Sequence, residues 1–326
     1  MRGASSMSGF GGSGSANGHV NGHLKGQAPR IHGLGPEFAT RVLRDVAMSK
    51  HTSWHVGGPA DLFFAPRDIM DLASFLRQLP PQMPVLWIGL GSNLLVRDGG
   101  IRGAVISTHG ALAEFERSSA TRIRAGAGVP CARIARQCVK WGLGSAEFFA
   151  GIPGTLGGAL AMNAGAFGGE TWRHVVEVEV LDRRGVRHVR TPAEYRIGYR
   201  SVQGPAEEWF IAARLEFERR PGISERAIRE LMEKRKSTQP IGAWSCGSVF
   251  TNPPGDHAAR LIEAAGLKGV RIGDASVSEK HANFIINHGN ATAAQVEALI
   301  EHVQRTVAEK HHVELSTEVR IVGEPA

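Results

Sequence analysis

From residue 148 to residue 169 the chain carries no charge, and glycine or proline recurs throughout: Phe-Phe-Ala-Gly-Ile-Pro-Gly-Thr-Leu-Gly-Gly-Ala-Leu-Ala-Met-Asn-Ala-Gly-Ala-Phe-Gly-Gly. Its length matches the roughly 20 residues that a membrane-spanning helix needs. Gly151, Pro153, Gly154, Gly157 and Gly158 argue against such a helix. They break helical structure, and each missing Cβ lets another group approach the backbone. The surrounding chain of 326 residues is 21% charged and 42% hydrophobic, as soluble globular proteins are. In that setting the stretch reads as a bed for a large, flat, anionic ligand, with no membrane insertion.

The formal charge of +7 includes Arg2, Lys25 and Arg30, from a segment with no acid before Glu37. Other charges alternate in sign, and no aromatic ladder is set among basic residues, so nucleic acid is not an expected partner. A basic surface remains compatible with a phosphorylated small substrate. Cys131, Cys138 and Cys246 form no CxxC pair and no disulfide framework, and no secretory signal is present, so a reduced, cytoplasmic protein is expected. No metal site is expected.

Residues 1–36 are rich in Gly, Ser, Asn and His, and read as a disordered tail. The formal GxGxxG at 9–14 has no strand before it and no helix after it, so it is compositional noise. His19 and His23 in the same tail read as solvated. Apolar spacing then predicts a helix over 68–79, short strands at 85–88, 94–96 and 104–106, and a helix over 130–141 that buries Cys131, Ala135 and Cys138. Strand-like segments at 175–181, 186–190 and 209–217 argue against a doubly wound sheet. Beyond residue 221, Ser224 can cap a helix, 257–265 is another, and Thr292-x-x-Gln295 is a capping box. Strands are expected at 283–287 and 318–322. The division is a tail (1–36), two lobes (37–110 and 111–220) and a separate α+β domain (221–326).

Four places carry candidate chemistry. Gly89-Leu90-Gly91-Ser92-Asn93 ends a buried strand and is either an ordinary turn or an anion nest of backbone N–H groups. Paired with Gly151-Ile152-Pro153-Gly154-Thr155 and Asn163-Ala164-Gly165-Ala166, it would form two glycine-rich walls around one extended dinucleotide. Gly198-Tyr199-Arg200-Ser201 offers a guanidinium for a bidentate grip on a carboxylate. Ser248, in Gly247-Ser248-Val249-Phe250-Thr251-Asn252-Pro253, has no nucleophile elbow, and is a turn residue or a neutral proton donor. Glu318, placed in a C-terminal strand, is by residue type alone most often a solvated face residue.

These motifs in this order, closing with Glu318-Val319-Arg320, closely resemble the family of UDP-N-acetylenolpyruvoylglucosamine reductases, flavoenzymes of bacterial peptidoglycan precursor synthesis. The resemblance runs from about residue 40 to the C-terminus. It implies an α+β fold: a two-lobed FAD-binding domain of the vanillyl-alcohol-oxidase type followed by a substrate-binding domain. The short spacing from Arg200 to the Ser224 helix is similar to the family's shorter form. It further implies non-covalent FAD, NADPH as reductant, and UDP-N-acetylglucosamine-enolpyruvate as substrate; a monomer is expected, though the sequence alone leaves the oligomeric state open.

By matching position, Arg200, Ser248 and Glu318 look like the catalytic trio. Tyr199, Arg200, Lys236, Ser248 and Asn252 look like substrate contacts. Gly89, Leu90, Gly91, Ser92, Asn93, Leu94, Gly151, Ile152, Pro153, Gly154, Thr155, Gly158, Asn163 and Gly165 look like cofactor contacts. Two neighbouring readings share these motifs in part: an FAD oxidoreductase of the same fold acting on a sugar lactone or alcohol, and a non-catalytic binder of a sugar nucleotide.

Overall fold

Asp68 begins the first helix as its sequence suggests: Asp71 N donates to Asp68 Oδ1 at 2.8 Å, supplying the cap that the first turn lacks. The helix, Ile69–Gln78, buries Leu72, Phe75 and Leu76, side chains worth about 1.5–3 kcal/mol each when fully removed from water. It connects strands of a four-stranded sheet. In that sheet Pro59–Phe64 pairs antiparallel with Leu43–Ala47 and parallel with Ile101–Ser107. Val85–Ile88 pairs parallel with the other edge of Ile101–Ser107. The structure is a computed structural model and describes residues 34–326. The expected tail, its GxGxxG and its two histidines lie outside the described residues, apart from positions 34–36.

The second sheet is antiparallel throughout. Its order runs from Arg187–Arg190 through Val175–Asp182, Glu208–Glu216 and Arg122–Gly126 to Phe115–Arg117. One face packs on Cys131–Lys140, whose Cys131, Ile134, Ala135, Cys138 and Val139 are buried. The uncharged stretch lies on this core and is cut into short pieces: a 3-10 turn at Glu147–Gly151, a helix at Leu156–Ala161, and the strand pair Gly165–Ala166 and Gly169–Glu170. Its glycines allow backbone to meet backbone. Cys131 N donates to Gly154 O at 2.9 Å and Gly157 N to Ala127 O at 2.8 Å. A Cβ on Gly157 would stand 3.0 Å from the Ala127 methyl. Among the described residues no helix is long and apolar enough to cross a membrane.

The C-terminal region sets helices Ala258–Ala264 and Ala293–His311 against a small sheet of Arg271–Ile272, Ala275–Val277 and Ile285–Asn287. The capping box at Thr292 and Gln295 is formed, and Val296, Leu299, Ile300, Val303 and Val307 make the buried stripe. Ser224 stands at the start of Glu225–Thr238, but its hydroxyl makes no cap bond. That helix packs Ile228 into the core of the five-stranded sheet. The expected strand at 318–322 begins two residues late, as Arg320–Val322, and joins Leu94–Val96 in parallel. Glu318 therefore precedes the strand, because its backbone N–H is taken by Val249 O at 2.8 Å.

Two buried contacts tie the C-terminal region to the first sheet's surroundings. Trp54 Nε1 donates to Ile285 O at 2.7 Å, and Asn287 Nδ2 donates to Trp54 O at 2.8 Å. Trp54, Val56 and Leu95 share one apolar cluster with Val249, Phe250 and the stripe of the last helix. The segment carrying Trp54 and Val56 is thereby held against the C-terminal region.

Candidate active site

The two glycine-rich walls face each other. A Cβ on Gly89 would lie 2.3 Å from Thr155 Oγ1, and one on Gly154 would lie 3.2 Å from Ser92 Oγ. Gly91 has a φ of +62°, and a Cβ there would run into His51 O at 1.9 Å, so this turn needs glycine on both counts. Between the walls lies a cavity of about 410 Å³, within the range of cofactor pockets. Gly89, Leu90, Gly91, Ser92, Asn93, Leu94, Ile152, Gly154, Thr155 and Gly158 all line it. Gly158 meets no atom within 4 Å of a built Cβ. Thr155 Oγ1 is buried and has no hydrogen-bond partner among the described residues.

The other expected cofactor residues, Gly151, Pro153, Asn163 and Gly165, are not among the lining residues. Asn163 is buried and spans two segments: its Nδ2 donates to Gly198 O at 3.0 Å, and its Oδ1 accepts from Trp172 N at 3.1 Å. Gly151 O accepts from the Arg235 guanidinium. Gly165 O accepts from Arg200 Nη2 at 3.0 Å.

Arg200 stands at the tip of a hairpin formed by Arg196–Gly198 and Ser201–Gln203, where Gly198 pairs with Ser201. Its φ of +53° lies in the left-handed region, a conformation that costs a non-glycine residue roughly 1–2 kcal/mol. The side chain is held on several sides. Nη1 donates to Asn163 O at 3.3 Å, Nη2 to Gly165 O, and the guanidinium lies 5.2 Å from the centre of the Tyr199 ring. Nε sits 3.1 Å from Glu318 Oε1, yet its N–H is not aligned on the carboxylate and has no hydrogen-bond partner among the described residues. The guanidinium thus retains unused donors beside a carboxylate.

Burial pushes the Glu318 carboxyl above its ordinary value, and the nearby Arg200 charge only partly opposes this. The backbone at Glu318 links the other motifs. Its O accepts from Asn93 Nδ2 at 3.0 Å, and its N–H meets Val249 O, next to Ser248. The segment carrying Ser248 is fixed from three directions. Asn283 brackets Phe250, with Oδ1 accepting from Phe250 N at 2.9 Å and Nδ2 donating to Phe250 O at 2.8 Å. Beneath the glycine turn, Cys246 Sγ donates to Leu94 O at 3.4 Å and to Gly91 O at 3.7 Å. Burial pushes that thiol up to about 12, so it is a packing and hydrogen-bonding group rather than a nucleophile.

Asn252 and Lys236 have other surroundings. Asn252 Oδ1 accepts from Ala258 N at 3.1 Å and so caps the helix Ala258–Ala264. Lys236 is exposed on Glu225–Thr238, and its backbone O accepts from Lys280 Nζ at 2.5 Å. Tyr199 is 51% exposed. Asn283 and Arg235 carry no motif that marks them in the sequence, because the partners that matter, Phe250 and Gly151, lie far away along the chain. No group of His, Cys, Asp or Glu among the described residues could hold a metal ion.

The cavity lies between glycine-rich walls, and residues 60–190 match the FAD binding domain family, which places the chain in a flavin-binding class. Residues 239–322 match the C-terminal domain of UDP-N-acetylenolpyruvoylglucosamine reductase. The chain is 59% identical over 280 residues to the UDP-N-acetylenolpyruvoylglucosamine reductase of Alkalilimnicola ehrlichii, covering 85% of this chain and 93% of that protein. It is 52% identical over 299 residues to that of Coxiella burnetii, covering 86% and 95%. A crystal structure of the reductase (MurB) from Thermus caldophilus matches with a TM-score of 0.75 at 35% identity, over 86% of this chain and 98% of that one. The chain belongs to the UDP-N-acetylenolpyruvoylglucosamine reductase family, with its α+β architecture.

Proposed function

We propose that this protein is an FAD- and NADPH-dependent reductase that converts UDP-N-acetylglucosamine-enolpyruvate to UDP-N-acetylmuramate for peptidoglycan, working as a cytoplasmic monomer. The observation that carries this reading is the convergence of Arg200, Glu318 and the Ser248 segment beside the glycine-walled cavity. The residues present suit FAD. The 89–93 turn offers backbone donors to a pyrophosphate, Thr155 Oγ1 lacks a partner, and the face of Gly158 is open. Residues 37–110 and 111–220 would supply the two flavin lobes, and 221–326 most of the substrate domain.

The chemistry FAD would supply when bound is hydride transfer, with NADPH as the source and the terminal vinyl carbon of the substrate as the acceptor. Charge then builds on the adjacent carbon and spreads into its carboxylate. Arg200 can bind those oxygens through the donors that Asn163 O and Gly165 O leave free. Glu318, whose proton burial holds more tightly than usual, would donate a hydrogen bond to the same oxygens when protonated. Ser248 delivers a proton to the adjacent carbon and recovers one from water. Its hydroxyl is a weak acid, but a strongly basic carbanion needs no stronger donor. Tyr199, Lys236 and Asn252 would contact the sugar nucleotide.

The reading is tested by NADPH oxidation with and without the enolpyruvyl sugar nucleotide. Stimulation by that compound and not by simple sugars is expected; oxygen consumption with simple sugars would replace it with the sugar-oxidase reading. Gly158→Leu is expected to fold, since no atom of the described residues lies within 4 Å of a built Cβ and the residue faces the cavity, but to fill that cavity. Overpacking of about 1–3 kcal/mol corresponds to roughly 5–150-fold weaker FAD binding, read from flavin absorbance after dialysis.

Glu318 also sets a pH dependence. Its folded-state proton is held more tightly than that of the unfolded chain, so its contribution to stability declines as pH rises above the ordinary 4.5 and through the raised folded value. In Glu318→Gln that slope is removed. Melting temperature, measured at steps from pH 4 upward, should therefore fall less with pH in the variant. Identical slopes would mean that the carboxyl titrates normally.

A further inference from the structure

The peptide groups that follow Ser248 are pinned along both edges. On one side Phe250 bridges to Thr317, Thr251 N donates to Ser316 O at 3.0 Å, and Glu318 N donates to Val249 O. On the other side one residue supplies the partners. Asn283 O accepts from Val249 N at 2.9 Å, and the Asn283 side-chain amide accepts from Phe250 N and donates to Phe250 O. The neighbouring backbone is committed elsewhere: Phe284 N turns back onto His281 O at 3.0 Å, and Phe284 O accepts from Ser278 N at 2.8 Å. The amide therefore plays the part of the next peptide in a strand. It offers one donor and one acceptor to a residue that is itself buried, where unpaired backbone groups are not tolerated.

Ser248 stands just outside this clamp. On its other side Gly247 has a φ of +75°, and a Cβ built there meets no atom of the described residues within 4 Å, so packing does not fix the chain at that point. Cys246, two residues back, is tied to Leu94 O and Gly91 O by a thiol, a weak donor. The strong hold on Ser248 comes from the Val249 side. Glu318 has a further anchor in Asn93 Nδ2, which Asn283 does not touch. Taking a donor from the clamp leaves Phe250 O buried and unpaired, which is costly, and the segment shifts to recover a partner. A displacement of about 1 Å can slow a reaction step about 10²-fold.

We propose that Asn283 is the positioning residue for proton delivery: its amide fixes the peptides of Val249 and Phe250, and thereby where the Ser248 hydroxyl stands. The proposal rests on the reading of Ser248 as proton donor given above. Asn283 is not among the cavity-lining residues, so it acts through Ser248 rather than on the cofactor. Aspartate is a close isostere that keeps the acceptor for Phe250 N, but its ionised form has no hydrogen for Phe250 O.

Stopped-flow measurement separates flavin reduction by NADPH from reoxidation by the enolpyruvyl sugar nucleotide. Asn283→Asp is expected to slow reoxidation about 10–100-fold, with flavin content and flavin reduction unaltered. Measured against the unaltered chain at the same pH, the deficit should shrink as pH falls and the new carboxyl regains a proton to donate. Added to Ser248→Ala, Asn283→Asp should cost no more than about a further twofold, because both act on one proton transfer. Asn283→Ala, which gives up both bonds but buries no charge, is read in the same way, with faster amide exchange across 249–251 as the sign that the clamp is gone. A full second loss in the double variant would overturn the proposal, since Asn283 would then act independently of Ser248. Equal slowing of both half-reactions would overturn it in favour of a general structural role, and so would unaltered reoxidation in Asn283→Asp and Asn283→Ala. If Ser248→Ala alone left reoxidation untouched, the proton-donor reading itself would fall, and this proposal with it.

Discussion

Ser248→Ala lowers turnover of the enolpyruvyl sugar nucleotide by about 10²–10⁴-fold, the usual contribution of a positioned proton donor, and leaves flavin reduction by NADPH at the unaltered rate. The substitution isolates the hydroxyl because the Ser248 segment is held by other atoms. Asn283 binds Phe250 through its side chain, Val249 N donates to Asn283 O, and Glu318 N donates to Val249 O. Cys246 fastens the preceding turn to Leu94 O. None of these bonds uses the Ser248 side chain, so melting temperature should hardly move. Stopped-flow measurement separates the half-reactions. If NADPH-driven flavin reduction fell as far as turnover, Ser248 would be a structural residue and the proton would come from elsewhere.

The sequence made the walls of the site more legible than its supports. Glycines at 89, 91, 154 and 158 were readable because a missing Cβ has few uses, and the close approach of Gly89 to Thr155 is one of them. At Gly151 and Gly165 too the close neighbours belong to the protein: the Phe167 ring at 2.6 Å and Gly169 O at 2.2 Å from a built Cβ. Composition cannot tell a ligand from the next segment of chain. Val319, Ile321 and Val322 predict a strand that includes Glu318, but its N–H donates to Val249 O, in the Ser248 segment, instead. Ser224 had the right residue type for a cap and makes no cap bond.

Tyr195 and Trp87 illustrate the opposite limit. Neither carries a motif along the chain, and only their polar atoms, unmatched among the described residues, set them apart. That signal exists in three dimensions alone. Asn283 is similar: a lone asparagine near a short strand says nothing until its amide is found spanning Phe250 N and O. Long-range backbone pairing decides such roles, and no local period records it.

Arg200→Lys lowers kcat by about 10²–10³-fold, equivalent to roughly 3–4 kcal/mol of lost transition-state stabilisation, although the charge is retained. The guanidinium does three things at once here. Two nitrogens anchor the hairpin tip to Asn163 O and Gly165 O, a third faces Glu318 at 3.1 Å, and the remaining N–H groups are free for the substrate carboxylate. A lysine ammonium carries three donors at one point and cannot serve two carbonyls and a planar carboxylate together. Loss of the anchors also releases a turn that already holds a left-handed φ of +53°, so the tip should wander and KM should rise with the fall in kcat. Flavin content and its reduction by NADPH are expected to remain, because Arg200 is not among the cavity-lining residues. Near-normal kcat in Arg200→Lys would show that a point charge suffices and would remove the bidentate grip from the mechanism. Loss of bound flavin would show instead that the hairpin supports the cavity, moving Arg200 from the reaction to the scaffold.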